Sequence, residues 1–445
     1  MNEKTYHIIT FGCQMNEHDS EKLAGMLAQM DYSENPVKSA ADVIIINTCS
    51  VREHADERFF GTLGQLKKIK EENPHKTIAV CGCMMQQQHI IDKLKDKYPW
   101  VDLIFGTHNL HEFPKLLGNY LNDRDKIIDI LQENGDIFEG LPSKRRYNFK
   151  AFVDVMYGCN NFCSYCIVPY TRGRERSRHP DEIIAEIKTL VSSGALEVTL
   201  LGQNVNSYGN GCDFGTSFSQ LIYKLNEIKG LERIRFMTSH PKDLSDDLIQ
   251  TYKECAKLSK YIHLPVQSGS NDILKRMNRG YTRETYLSIV ERLRAAVPEI
   301  AISTDFIVGF PGETEEDFLE TLDLVKRVGF DSAYTFLYSI RKGTPAETYT
   351  DQVPEEIKHK RFNRLGDLLN SCSATKNETY LGKKVQVLVE GPSKNNSSIY
   401  AGRTDSNKLV NVRTTNEAIG KIIDVRITET RSFSLFGDAC DSERY

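Results

Sequence analysis

No apolar run in the sequence approaches the ~18 residues that a membrane helix needs, which excludes a helical span, and no membrane partner is expected. Nor does either charge dominate: 57 Lys and Arg stand against 61 Asp and Glu, for a net of -4. The chain as a whole is therefore not drawn to nucleic acid, and any such binding must come from a local patch. The N-terminus, MNEKTYHIITFGCQMNEHDS, lacks the apolar core and cleavage site of a signal peptide, so the expected location is the cytoplasm. No repeat or low-complexity tract stands out. What is present is 445 residues, 40% apolar and 27% charged, enough for roughly two to four soluble domains. Eleven cysteines are the unusual feature. An odd count in a chain of reducing surroundings argues against a disulfide framework and makes cysteine spacing the first thing to read.

The fold class expected is α/β in three parts. From 1 to 118, the β-rich runs YHIITF, DVIIIN, TIAVCG and DLIFG alternate with helical patterns, as in a small α/β domain with a mostly parallel sheet. Residues 119–148 lose the pattern and read as a linker. From 149 to 375, six candidate strands (151–157, 197–203, 233–239, 261–266, 300–310, 332–339) alternate with helices. This pattern predicts an incomplete β/α barrel whose working face lies at the strand C-termini; an open doubly wound sheet is the alternative. From 378 to 441, short strands and turn residues predict a small β-barrel. Its span to 440 carries nine Lys and Arg against seven Asp and Glu, a mild basic bias.

Cys159, Cys163 and Cys166 stand in GCNNFCSYC, directly after the first strand of the central part. Three thiolates on one loop can wrap one metal group. Structural zinc wants four ligands, and the nearest further candidate is His179, so a [4Fe-4S] cluster with one open iron fits better. Polar residues at other strand ends would line the same cavity: Gln203, Asn204, Ser239, His240, His263, Gln267 and Asp305. A buried polar side chain satisfied by backbone is the ordinary alternative for each. In VGFPGETEEDF, Gly309, Pro311 and Gly312 form a turn and Thr314 an N-cap with Asp317 three residues on. That turn either approaches a ligand or merely starts a helix.

Cys13, Cys49 and Cys83 are far apart in sequence, yet each follows a strand and precedes a helix. Strand C-termini of a parallel sheet share one edge, so the three can converge to hold a second cluster. Cys81 competes with Cys83; Cys83 stands at the turn and is the ligand chosen. Cys212, Cys255, Cys372 and Cys440 show no such placement.

The central cysteine array resembles the radical S-adenosyl-L-methionine (SAM) motif. That resemblance implies that SAM chelates the open iron and is cleaved by an electron to methionine and a 5′-deoxyadenosyl radical. With GCQMNEHDSE, NTCSVRE, TSHPKDL, LPVQSGS, STDFIVGFPGET and AGRTDSNKLV, essentially the whole chain resembles the methylthiotransferases. These pair an N-terminal three-cysteine domain and a radical SAM core with a C-terminal RNA-binding TRAM domain. Within the family the likeness is to members acting on isopentenylated adenosine beside the tRNA anticodon. It implies two [4Fe-4S] clusters: one on Cys159, Cys163 and Cys166 for radical generation, and one on Cys13, Cys49 and Cys83 as sulfur carrier or donor. It also implies SAM as radical source and methyl donor, tRNA as partner through its anticodon loop, an electron-donating reductase and a monomeric chain. The same chemistry on threonylcarbamoyladenosine or a ribosomal protein side chain is one alternative; a non-enzymatic iron–sulfur RNA-binding protein is another.

For RNA contact, RGRERSR sets Arg172, Arg174, Arg176 and Arg178 at alternate positions. In an extended segment they share one face for phosphate; a solvated charge run is the alternative. In the C-terminal barrel, Lys383, Lys384, Arg403, Lys408 and Arg413 are candidates for the RNA backbone. Tyr400, Phe433 and Phe436 are candidates for stacking on unpaired bases.

Overall fold

Near-continuous apolar runs such as Val43–Thr48 and Thr77–Gly82 are buried on both faces, as strands of a helix-covered parallel sheet must be. The computed structural model describes residues 3–50, 55–131, 137–394 and 396–440. Its first unit runs β1 (Lys4–Thr10), α1 (Gln14–Gln29), β2 (Tyr32–Glu34), β3 (Val43–Thr48), α2 (Ala55–Glu72), β4 (Thr77–Gly82), α3 (Gln88–Lys97), β5 (Leu103–Phe105), α4 (Phe113–Asp123) and β6 (Ile127–Asp129). All pairings are parallel, in the order β2-β1-β3-β4-β5-β6. One apolar core lies under α1 and α4, around Tyr6, Leu27 and Phe113. The other lies under α2 and α3, around Ile46, Phe59 and Leu94. The sheet thus runs past residue 118 into the stretch read as linker. A three-residue edge strand carries too little pattern to announce itself. Residues 137–149 hold no helix or strand.

The central unit comprises β7 (Lys150–Asp154), β8 (Met156–Tyr157), α5 (Val168–Thr171), β9 (Arg176–Ser177), α6 (Pro180–Ser192), β10 (Glu197–Leu201), α7 (Phe218–Asn226), β11 (Arg233–Phe236), α8 (Asp246–Glu254), β12 (Tyr261–His263), α9 (Asn271–Arg276), α10 (Arg283–Ala296), β13 (Ala301–Val308), α11 (Glu315–Val328), β14 (Ser332–Leu337) and α12 (Glu355–Glu378). Two parallel three-stranded sheets, β7-β10-β11 and β12-β13-β14, are joined by a parallel bridge between Ile234 and Leu258. Six strands in sequence order, sharing one apolar core, make the incomplete barrel.

The last unit is a closed barrel of β15 (Lys384–Ser393), β16 (Asn396–Thr404), β17 (Leu409–Arg413), β18 (Ile422–Thr430) and β19 (Leu435–Ala439), in the order β15-β16-β17-β19-β18. It is seated against the N-terminal ends of the central strands. Arg235 of β11 donates to the Thr404 and Asp405 carbonyls at 2.7 and 3.1 Å. Lys408 pairs with Asp331, just before β14, at 2.9 Å. Lys150 at the start of β7 pairs with Glu390 at 2.6 Å. Among the described residues no helix is long and apolar enough to cross a membrane.

Candidate metal centre

The loop after β8 is shaped by backbone that few residues tolerate: Gly158 at φ +77° and Phe162 at φ +46°. The Cys159 amide donates to the Gly173 carbonyl at 3.0 Å and that of Cys166 to Cys163 at 2.9 Å. Ser164 ties the loop to the end of α9, its amide on the Met277 carbonyl at 3.0 Å and its hydroxyl on the Arg276 carbonyl at 2.8 Å. Three thiols are thereby held over the C-terminal end of the barrel. Burial pushes the Cys159 thiol up to about 11 and Cys166 to about 12, so a bound cation is needed to make them thiolates at neutral pH. Buried Arg279 donates from Nη1 to Cys163 Sγ at 3.4 Å, and from Nη2 to the Pro265 carbonyl at 2.7 Å. His179 is exposed and caps α6, its Nδ1 accepting from the Asp181 amide, which removes the nearest candidate for a fourth zinc ligand.

The strand-end residues divide by whether their polar atoms are satisfied. Asn204 donates to Asp243 at 2.7 Å, but its Oδ1 is buried without a partner, as are Ser239 Oγ and His240 Nε2. His240 Nδ1 accepts from the Lys242 amide, so Nε2 carries the proton. Burial, aided by Arg279 and Lys242, pushes this ring down to about 2 and keeps it neutral. An unpaired buried polar atom costs roughly 1–3 kcal/mol. Three of them on the loops after β10 and β11 therefore mark a wall with hydrogen bonds still to make. With three adjacent thiols, that wall fits a cluster carrying a ligand rich in amino, carboxylate and hydroxyl groups. The other candidates have partners within the protein, through the side chain for Gln203, His263 and Asp305 and through the backbone for Gln267. Gln203 accepts from the Gly158 amide and reaches Met15 Sδ of α1. His263 bonds Ser303 Oγ at 2.8 Å and lies 3.5 Å from Asp305. Gln267, at φ +72°, exchanges backbone hydrogen bonds with Asp305 and Ile307.

In the N-terminal unit, Cys13, Cys49 and Cys83 follow β1, β3 and β4, which are neighbours in the sheet. The chain reverses direction across the sheet between β1 and β3, where open α/β folds bind ligands. Asn16 Oδ1 lies 3.7 Å from Cys13 Sγ and 3.9 Å from Cys83 Sγ. A Cβ at Gly12 would stand 2.9 Å from Cys49 Sγ, so the three thiols surround one small space. Cys81 instead packs in the α1–α4 core with Tyr6 and Leu103. None of the eleven cysteines is in a disulfide. Among the described residues no three Cys, His, Asp or Glu side chains crowd closely enough to hold a single metal ion. A four-iron cluster sets a different demand, because each of its cysteines binds a different iron.

The expected arginine face is corrected. Arg172 caps α5 and Gly173 turns at φ +79°, so the segment is not extended. Arg172 is buried and donates from Nε to Cys83 Sγ at 3.2 Å and from Nη2 to Asp19 at 2.7 Å. Arg178 is buried too, on the Asp154 carbonyl at 2.6 Å and Glu186 at 2.7 Å. Arg174 is exposed over the Phe162 ring at 4.2 Å, and half-buried Arg176 lies 5.9 Å from the Tyr157 ring. In the C-terminal barrel, Lys408 is buried in its ion pair and Tyr400 is buried against Val389, with its hydroxyl on Asn416. Half-buried Arg403 bonds the Asn407 carbonyl at 3.0 Å. Phe436 lies under Arg431 at 4.4 Å. Lys383, Lys384 and Arg413 are exposed, the last two beside Asp424 and Asp438, and Phe433 is 76% exposed. Asn16, Asp19 and Arg279 were not foreseen. Only Asn16, three residues after the cysteine at the start of α1, gave a local signal.

The model described as the Radical SAM superfamily matches residues 153–325. Uncharacterized protein family UPF0004 matches 5–106 and the TRAM domain 378–440. A protein of Clostridioides difficile (strain 630) named tRNA-2-methylthio-N(6)-dimethylallyladenosine synthase is 56% identical over 429 residues, 96% of this chain and 90% of that one. A protein of the same name from Clostridium botulinum (strain Hall) is 56% identical over 437 residues, 97% and 96% of the two chains. Among solved structures, the radical SAM methyltransferase TsrM of Kitasatospora setae, with cobalamin and [4Fe-4S] cluster bound, superposes with a TM-score of 0.57 at 12% identity, over 78% of this chain and 74% of that one. That likeness is one of fold alone.

Proposed function

This chain belongs to the tRNA-2-methylthio-N(6)-dimethylallyladenosine synthases, a radical SAM family with a TRAM domain, and from that premise we propose how its residues divide the reaction. It is a methylthiotransferase that converts N6-isopentenyladenosine beside the tRNA anticodon into the 2-methylthio derivative. Cys159, Cys163 and Cys166 hold one [4Fe-4S] cluster, and Cys13, Cys49 and Cys83 hold a second. When bound, the first cluster and one SAM would supply the radical that takes hydrogen from C2 of the base, another SAM would supply the methyl group, and the second cluster would serve as carrier or donor of the sulfur. The chain's own contribution is orientation. Asn204 Oδ1, Ser239 Oγ and the His240 Nε2 proton, all unmet, receive polar groups of SAM. Gln203, bonded to Gly158 and Met15, ties the loop of one cysteine group to the helix of the other and so fixes the gap the base must enter.

The observation that carries this reading is that two groups of three thiols, from different domains, flank one interface crossed by Arg172 and by the Gln203–Met15 contact. The TRAM barrel sits at the opposite end of the central barrel, bridged by α12, 24 residues and so about 36 Å long. Lys383, Lys384 and Arg413 accordingly grip phosphates of the stem rather than bases of the loop. The enzyme works in the cytoplasm as a monomer, with a reductase supplying electrons.

Nucleoside mass spectrometry of tRNA from cells lacking the gene tests the substrate. The methylthio group on isopentenyladenosine should disappear and return with the intact gene but not with Cys159→Ala. Its persistence in the deletion strain would refute the assignment.

A further inference from the structure

Arg172 belongs to the central domain by sequence and to the N-terminal cysteine site by contact. It leaves the end of α5, is 6% exposed, and spreads its guanidinium over three partners of the other domain. Nε donates to Cys83 Sγ at 3.2 Å, and Nη2 to Asn16 Oδ1 at 3.1 Å and Asp19 Oδ2 at 2.7 Å. Asn16 is itself fixed, its Nδ2 on the Thr48 carbonyl at 2.6 Å and the Phe11 carbonyl at 3.0 Å. Its Oδ1 therefore faces both the guanidinium and the thiols of Cys13 and Cys83. An arginine–carboxylate pair frequently turns both arms of the guanidinium fork to the carboxylate. Here the fork is split, with one arm on Asp19 and the Nε proton aimed at sulfur. Asp19 balances one positive charge, and the cysteine group is the other anionic neighbour.

We infer that Arg172 is a positioning residue for the cluster on Cys13, Cys49 and Cys83, supplied across the domain interface, and that it tunes that cluster's reduction potential. The inference rests on the proposed second cluster. A hydrogen bond to a ligating sulfur, backed by a cation, favours the reduced and more negative state, so Arg172 raises the potential. It also makes the site whole only when the two domains are docked. Arg279, donating to Cys163, stands in the same relation to the other group.

The test uses the full chain with Cys159, Cys163 and Cys166 all replaced by Ala, which removes the first cluster and the Arg279 contact with it. After anaerobic reconstitution this protein should hold about four irons; none would refute the second cluster itself, a failure distinct from that of Arg172. In this background Arg172→Gln should shift the midpoint potential, read by electron paramagnetic resonance during redox titration, to a more negative value. Arg172→Lys, which keeps the charge, should shift it less. A glutamine variant with about four irons and an unchanged midpoint overturns the inference. Should that variant fail to fold or load, the protein with Arg172 intact decides alone. With arginine labelled by ¹⁵N in the guanidinium, pulsed resonance on the reduced cluster should detect nitrogen coupling, and its absence overturns the inference.

Discussion

At Gly158 the backbone takes φ +77°, and a Cβ would stand 2.0 Å from the Arg174 carbonyl oxygen. Backbone cannot move aside as a flexible side chain does, and the neighbouring Cys159 amide is bonded to Gly173 in that same segment. Gly158→Ala therefore combines left-handed strain, worth about 1 kcal/mol or more, with displacement of the first cysteine. A shift of the reacting geometry by ~1 Å costs on the order of 100-fold in rate. We expect SAM cleavage to fall by about that factor and iron at this site to load poorly, while Gly61→Ala serves as the control. Gly61 lies in α2 with nothing near its missing Cβ, and alanine there should stabilise by about 0.5–1 kcal/mol. Iron analysis and denaturant titration of the two variants check this; equal behaviour would show that the Gly158 turn is not required. At this scale the sequence was informative where chemistry is local. Three cysteines within eight positions are readable, but Arg172 meets Asn16 and Asp19 across more than 150 positions, and no spacing rule reaches that far.

Elements were legible in proportion to their length and to the locality of their signals. The capping box at the start of α11 formed as read, the Thr314 hydroxyl accepting from the Asp317 amide and Asp317 returning to the Thr314 amide, because all its parts lie within four residues. The expected strands ran long for reasons visible in their own residues. The run 261–266 pairs as a strand only to His263: Leu264 still donates to the Ser303 carbonyl, but Val266 turns its amide to the Thr304 hydroxyl and the next backbone bond falls one residue late, at Gln267, which stands at φ +72°. The run 233–239 ends at Phe236, before Thr238 turns to φ +67°. The run 151–157 divides because Met156 and Tyr157 leave β7 to pair antiparallel with Ser177 and Arg176. The parallel sheet edge that gathers Cys13, Cys49 and Cys83 was readable because alternating strands and helices fix where strand ends lie. What the pattern could not supply was strand order, and it is the adjacency of β1, β3 and β4 that brings those cysteines into one space.

For the molecule as a whole, the docking of the TRAM barrel depends on a buried charge cluster at the foot of the central barrel. Glu197 lies 2.9 Å from Arg235, 3.3 Å from Arg233 and 3.5 Å from Lys150. Burial alone would raise its carboxyl, but Arg235, Lys150 and Arg233 outweigh it and pull the group from 4.5 down to about 2. A carboxylate depressed on folding contributes stability that is present above its unfolded value and lost as pH falls through the folded one. The contribution, about 3 kcal/mol, should therefore vanish between pH 4.5 and about 2. Glu197→Gln leaves buried Arg235 without a carboxylate, with Arg233 and Lys150 keeping only Asp405 and Glu390; it costs roughly 3–5 kcal/mol at neutral pH, and should flatten that acid limb. Thermal unfolding across the acid range checks both effects, and an unaltered limb in the variant would remove Glu197 from the account.

The same interface separates two lysines that composition alone treats alike. Lys408 is 9% exposed and paired with equally buried Asp331, so it joins the two barrels and cannot reach phosphate. Lys383 is exposed, with its ammonium 5.8 Å from the Tyr380 ring, and is open to a passing backbone. Lys408→Ala strands a buried carboxylate and should destabilise by roughly 3–5 kcal/mol while leaving the salt dependence of RNA binding as it was. Lys383→Ala should leave stability within about 0.5 kcal/mol and lower the slope of log affinity against log salt by about one. The second change should be seen with an anticodon stem-loop that keeps its full stem and lost when the stem is shortened, because the TRAM barrel lies at the end of the molecule away from the thiols. A slope change on Lys408→Ala, or a Lys383 effect that survives removal of the stem, would place the RNA on a different path across the protein.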